Sequence, residues 1–276
     1  MLMKIVSDSS SNLLCFEGAN YTSVPLKIVN EAHEYVDDAS LDVQAMVDAL
    51  AAYPGKSGTS CPNVGEWVEA FGDAEGVFTV AITSNLSGSH NAAVQAGQVY
   101  MEQHPGRRVA NLDSLSTGPE MVLIIRKLWE MMEQGLDFDT IETRIRAYMQ
   151  KTHLLFMLES VDNLAKNGRV SPLIAKAVGF LGIRIVGKAS DVGTLQQLHK
   201  CRNERKGLDA LLQEMANMGY TGGKVNISHV CNEALGETVK ARILERWADA
   251  DVTVNPTTGL CSFYAERGGV LVGFEG

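Results

Sequence analysis

Short β-type runs alternate with helical patterns through the first half of this chain. That alternation permits little other than a parallel sheet with helices on both faces. Strands are predicted at Lys4–Ser7, Ser23–Val29, Lys56–Thr59, Gly76–Thr83 and Arg107–Leu112. Helices are predicted at Leu41–Ala52, Val64–Phe71, His90–Gln103, Pro119–Gln134 and Thr140–Met149. In the last of these, Ile141, Ile145 and Tyr148 share one face, leaving Arg144 and Arg146 to solvent.

After His153 the rhythm changes. Leu154–Leu158 reads as a strand, two helical stretches follow, and Ile183–Lys188 and Leu195–Lys200 flank a turn ending in Gly193, a hairpin signal. Helix Glu204–Met218, strand Lys224–Val230, helix Glu233–Ala248, strand Val252–Asn255 and strand Gly269–Phe274 complete the pattern. The expected architecture is therefore an α/β parallel-sheet domain over residues 1–151 and an α+β domain with a mainly antiparallel sheet over residues 152–276. No repeat or low-complexity linker interrupts it.

Two hydroxyl-rich loops stand out against this frame. Gly58-Thr59-Ser60-Cys61-Pro62-Asn63 and Thr83-Ser84-Asn85-Leu86-Ser87-Gly88-Ser89-His90 each follow β-type and precede helical sequence. At such turns hydroxyls and free backbone N–H groups can converge on a carboxylate or phosphate. Gly88 would let a ligand approach the backbone closely. The competing role for Ser and Thr here is to cap their own helices. Asp8–Asn12 and Asp113–Gly118 lie at the ends of two further strands, and Asp8 and Asp113 offer only one carboxylate each to a metal. No P-loop, nucleophile elbow or metal-ligand spacing accompanies these loops, so no cofactor is implied.

Composition narrows the function classes. The 276 residues carry 24 Lys and Arg against 33 Asp and Glu, a net charge of −9, which speaks against a nucleic-acid groove. No apolar run approaches the roughly 18 residues that span a bilayer, and the start of the chain reads straight into a strand rather than a signal peptide. The five cysteines are scattered and odd in number, which fits a reducing, cytoplasmic setting. Cys61, beside a predicted helix start, is either a small loop residue or an activated thiol.

An ordered set of motifs runs the length of the chain: Asp8-Ser9-Ser10-Ser11, Val24-Pro25-Leu26, Tyr35-Val36-Asp37-Asp38, Thr59-Ser60-Cys61-Pro62, Leu86-Ser87-Gly88-Ser89, Asp113-Ser114 and Asn167-Gly168-Arg169-Val170-Ser171. In order and spacing this set resembles the DegV family. The resemblance implies a Rossmann-like N-terminal domain and a fatty-acid-binding protein without its own catalysis. In members that serve a fatty acid kinase, it implies a buried acyl chain whose carboxylate is offered to that kinase. It places the carboxylate ligands at Thr59 and Ser87. Gly88, Arg169 and Arg202 fall on secondary positions, and Ser60 and His90 lie close enough in sequence to join them.

Departures from the family pattern occur at Thr257, where kinase-partnered members carry histidine, at Ile183-Arg184-Ile185-Val186 in place of Ile-Lys-Pro, and at Asn12 in place of a second aspartate. An alternative reading keeps the same loops as an oxyanion or phosphate cradle of an enzyme, with Ser87 or Cys61 as nucleophile. A regulatory protein with an empty cleft is a third. The acyl tunnel is expected from helix faces such as Met121, Ile124 and Leu128, and Leu173, Ala177 and Leu181, stripes that would equally serve as ordinary core.

Overall fold

The computed structural model describes residues 1–170 and 182–276. The first sheet is fully parallel and takes the order β2-β1-β6-β7, with β1 Met3–Asp8, β2 Tyr21–Val24, β6 Gly76–Ala81 and β7 Arg108–Asp113. Successive side chains of a strand point to opposite faces. Ile5, Phe78 and Val80 accordingly pack under helices α4 (Pro119–Glu133) and α5 (Phe138–Met149), while Val6, Val77 and Ala81 pack under α2 (Val64–Phe71) and α3 (Ser89–Gln103). Burial on both faces explains why β6 reads as one unbroken run of buried residues.

The expected strand Ser23–Val29 is two strands. Pro25 lacks the N–H that would continue the ladder, and pairing with β1 stops at the partner pair Asp8 and Val24. The chain then re-pairs as β3 (Lys27–Val29), which is antiparallel to β4 (Glu34–Val36) and β5 (Gly58–Ser60) in a separate three-stranded sheet. Thr59 therefore lies inside a strand of that small sheet and not at the C-terminal end of a parallel strand. Ile28 of the small sheet, with Met46 and Val47 of α1 (Val43–Ala52), shares an apolar cluster with Leu154, Phe156 and Leu158 of the C-terminal half.

The second large sheet takes the order β10-β9-β8-β13-β11-β12. Its members are β8 Thr152–Leu158, β9 Arg184–Ala189, β10 Leu195–Cys201, β11 Lys224–His229, β12 Asp251–Pro256 and β13 Val270–Glu275. Every neighbouring pair is antiparallel except β11 with β12. A short helix, α6, spans Asp162–Lys166. Leu155 and Met157 face helices α7 (Glu204–Asn217) and α8 (Glu233–Arg246), so the alternate residues Leu154, Phe156 and Leu158 are left to face the first half.

Two close approaches join the halves. A Cβ on Gly273 of β13 would run into the backbone of Pro119 and Glu120, so only glycine lets the first turn of α4 lie on that strand. At the β9–β10 turn, Gly193 has a φ of +73°, and a Cβ there would strike the Thr83 hydroxyl. The Asn85 side-chain amide donates to Val192 O over 2.6 Å and ties the same hairpin tip to the second hydroxyl loop.

A last helix, α9 (Gly259–Ala265), was not expected from the sequence. Its Thr258 N-cap makes no side-chain capping bond, and the cap comes instead from Asp37, 222 and 223 positions away from the amides it accepts.

Candidate functional site

Asp8, at the end of β1, is wholly buried and holds the first two loops of the parallel sheet together. Its carboxylate accepts from Ser10 Oγ at 2.5 Å, Ser89 Oγ at 2.6 Å and Ile82 N at 3.0 Å. Burial pushes its pKa up, and these donors act against that rise. Asp113 likewise accepts from Ser84 N of the second hydroxyl loop and from Leu115 N of its own loop. The carboxylates that sequence weighed as metal ligands thus organise loops. Among the described residues, no group of three or more His, Cys, Asp or Glu is placed to hold a metal ion.

Thr59 and Ser87 line one cavity between the two halves of the chain. Helix α2 is capped by Asn63, which accepts from Glu66 N at 3.1 Å while Glu66 accepts from Asn63 N at 2.7 Å. That reciprocal box leaves Thr59 free of a capping role. Its hydroxyl lies 2.8 Å from Tyr264 Oη on α9. Ser87 Oγ accepts from Ser89 N at 3.3 Å, and its own hydrogen meets no acceptor among the described residues. The two loops touch, since a Cβ on Gly88 would lie 3.3 Å from Cys61 Sγ.

The remaining sequence candidates divide. Arg169 is on the cavity wall, its guanidinium donating to Asn167 O at 2.5 Å and lying 5.7 Å from the centre of the Tyr264 ring. Ser60 and Gly88 are exposed, and half-buried His90 sits in the first turn of α3. None of these three lines the cavity. Arg202 is exposed beyond the end of β10, also away from the wall. Thr257 is buried, bonded to Ser262 Oγ at 2.6 Å and to His229 O at 3.2 Å, and does not line the cavity either.

Apart from its hydroxyls, Arg169 and the Cys261 thiol, the described wall is apolar. Leu154, Phe156 and Leu158 come from one face of β8, with Leu26, Leu260 and Leu271 beside them, around about 680 Å³ of empty space counting the open mouth. Among the described lining residues there is no His, Asp or Glu, and Arg169 is the sole cation. Cys261, also on the wall, is held as a thiol because burial pushes its pKa up to about 12.

The helix stripe Met121, Ile124 and Leu128 does not reach this space. All three are fully buried against Ile5, Phe78 and Ile141 in the core of the first domain. Leu173, Ala177 and Leu181 lie outside the described residues. Sequence reasoning missed Tyr264, Cys261 and Leu260, all carried by α9. The one legible signal for that helix was the Tyr35-Val36-Asp37-Asp38 motif, whose partner is remote in sequence.

A parallel-sheet domain and a mixed-sheet domain enclosing an apolar cleft with hydroxyls on its wall define a class of two-domain α/β proteins suited to an amphiphile. A family model described as the DegV family matches residues 2–275. The chain belongs to the DegV family. A DegV domain-containing protein of Streptococcus pneumoniae strain R6 is 43% identical over 279 residues, covering 100% of this chain and 99% of the relative.

Two solved structures superpose closely. A DegV family protein from Eubacterium eligens loaded with heptadecanoic acid has a TM-score of 0.97 at 44% identity, over 99% of both chains. The Streptococcus pneumoniae fatty acid kinase B3 protein loaded with linoleic acid also reaches 0.97, at 43% identity, over 100% of this chain and 99% of that one. Homologues of this chain are therefore fatty-acid-binding proteins. Among the described residues, no helix is long and apolar enough to cross a membrane.

Proposed function

We propose that this protein binds one long-chain fatty acid in the cleft between its domains, with Thr59 and Ser87 as ligands of the carboxylate, and carries it in the cytoplasm to a fatty acid kinase. The observation that carries this reading is the presence of the Thr59 and Ser87 hydroxyls on a largely apolar cavity wall, one freed from capping by Asn63 and the other with a hydrogen that meets no acceptor among the described residues. The fatty acids bound by the Eubacterium and Streptococcus relatives support the ligand class, and the kinase in the name of the latter supports the destination.

The energetics suit such a ligand. Burying roughly fifteen methylene groups at about 0.8 kcal/mol each gives about 12 kcal/mol before the costs of ordering and association. With the tail supplying that much, neutral donors suffice at the head. They hold a carboxylate, which only accepts hydrogen bonds, while leaving it available for later phosphorylation. With no carboxylate or imidazole on the described wall, Ser87 is a donor and not an activated nucleophile.

Thr59→Ala and Ser87→Ala are each expected to weaken oleic acid binding roughly 10- to 100-fold, the loss of about 1.5–3 kcal/mol for one hydrogen bond to a charged group. Calorimetric titration of the delipidated protein measures this. Two variants that both bind as tightly as wild type would place the head group elsewhere.

A further inference from the structure

Tyr264 is a polar group on the cavity wall whose ring packs against Phe263 and the neighbouring apolar clusters, while the sequence motifs give its hydroxyl no role. Its hydroxyl is 2.8 Å from Thr59 Oγ1, while its ring forms part of the wall. Helix α9, which carries it, is fastened at its start: Asp37 accepts from Gly259 N at 2.5 Å and Leu260 N at 3.0 Å. Behind the helix, the Cys261 thiol donates to Ser10 O over 3.3 Å. The phenol is therefore held in place before any ligand arrives.

Each hydroxyl carries one hydrogen and two lone pairs. The bond between Thr59 and Tyr264 uses one hydrogen of the pair and leaves one over. When Thr59 donates, the phenol keeps the free hydrogen, and a phenol is a stronger donor than an aliphatic alcohol because it is the stronger acid. A ligand that only accepts selects that arrangement, and the Thr59 bond polarises the phenol further. Burial raises the pKa of Tyr264, so the group stays protonated and able to donate at neutral pH.

We propose that Tyr264 joins Thr59 and Ser87 at the head group, its phenol, aligned by the Thr59 hydroxyl, donating to an oxygen of the bound carboxylate. This rests on the reading of the cleft as a fatty-acid site with its head group at Thr59 and Ser87. It adds a residue from the C-terminal domain to two from the N-terminal domain, so the carboxylate bridges the halves. The site then recognises the ionised acid through two direct hydroxyl donors, Ser87 and the phenol, with Thr59 acting through its bond to the phenol, and the ester or alcohol of the same chain loses most of that recognition.

The test is the full-length Tyr264→Phe variant, which keeps the ring on the wall and removes only the hydroxyl. Oleic acid and methyl oleate are titrated into wild type, Tyr264→Phe, Thr59→Ala, Ser87→Ala and the Thr59→Ala/Tyr264→Phe double variant. Tyr264→Phe is expected to melt at the wild-type temperature, to bind oleic acid about tenfold more weakly and to bind methyl oleate within about twofold of wild type. The double variant is expected to lose less than the product of its single losses, because the two hydroxyls align each other.

Wild-type affinity for oleic acid in Tyr264→Phe, with Thr59→Ala weakened, would overturn the role of Tyr264 and leave the Thr59 and Ser87 site standing. Equal losses for acid and ester would reduce Tyr264 to wall packing and overturn it as well. No loss in Thr59→Ala, Ser87→Ala or Tyr264→Phe would remove the head group from this end of the cleft altogether, and the proposal with it.

Discussion

Asp37→Ala is expected to lower the unfolding free energy by about 3 kcal/mol and to weaken fatty acid binding, although Asp37 does not line the cleft. The carboxylate is 1% exposed and is the acceptor for Gly259 N and Leu260 N at the start of α9. Thr258 Oγ1 lies 3.3 Å away and also reaches Ser9 O and Asn12 Oδ1. Removing the acceptor strands two buried amides, at about 1–3 kcal/mol each. Part of this is offset, because burial pushes the Asp37 pKa up and the variant no longer has to bury a charge.

The structural consequence reaches the site directly. Leu260, Cys261 and Tyr264 all ride on α9, so a helix that frays from its first turn loosens one wall of the cavity. Chemical denaturation of wild type and Asp37→Ala, paired with oleic acid titration below the transition, measures both effects. A change below about 1 kcal/mol with unchanged affinity would show that α9 holds its place without this cap.

Glu120 is expected to make the protein less stable as pH rises from about 4.5 to 8. It lies in the first turn of α4, is 5% exposed, and accepts from Thr152 Oγ1 at 2.8 Å. Burial raises its pKa from 4.5 to about 7, with the Thr152 bond acting the other way. The folded value thus exceeds the unfolded one. Below 4.5 both states hold the proton and stability is full, and as pH rises toward 7 the unfolded chain releases its proton first, so the folded state loses ground.

The rise corresponds to about 3 kcal/mol, completed by about pH 8. Asp8 and Asp37 are shifted in the same direction by burial, so the comparison with a variant isolates Glu120. Glu120→Gln keeps the shape and an acceptor for Thr152 and cannot ionise. Urea denaturation at pH 5 and pH 8 is expected to show a shallower decline for the variant, which should be the more stable of the two at pH 8. Parallel declines would mean that Glu120 is not the titrating group. Because Thr152 opens β8 and Gly273 of β13 lies on the same turn of α4, the ionisation acts at the joint between domains.

What was legible in the sequence followed from local chemistry. Short β-type runs alternating with helical patterns marked β1, β6 and β7, and the turn ending in Gly193 marked the β9–β10 hairpin. Thr59 and Ser87 were legible as hydroxyls in ordered motifs, yet whether Thr59 capped a helix depended on Asn63 and Glu66 forming their own box. What escaped was set by distant partners. Pro25 ended β2, but its consequence, a third sheet of β3, β4 and β5, needs strands separated by up to about thirty residues. Helix α9 is seven residues long, starts at a glycine and is capped from the other end of the chain, so no local pattern announces it or brings Tyr264 to Thr59.

The most direct measurement is native mass spectrometry of the full-length protein, purified without added lipid, beside the Thr59→Ala/Ser87→Ala variant. Wild type is expected to carry one equivalent of long-chain fatty acid that is released on denaturation, with occupancy lost or sharply reduced in the double variant. A wild-type protein that is lipid-free and stays so after incubation with oleic acid would contradict fatty acid binding in this cleft.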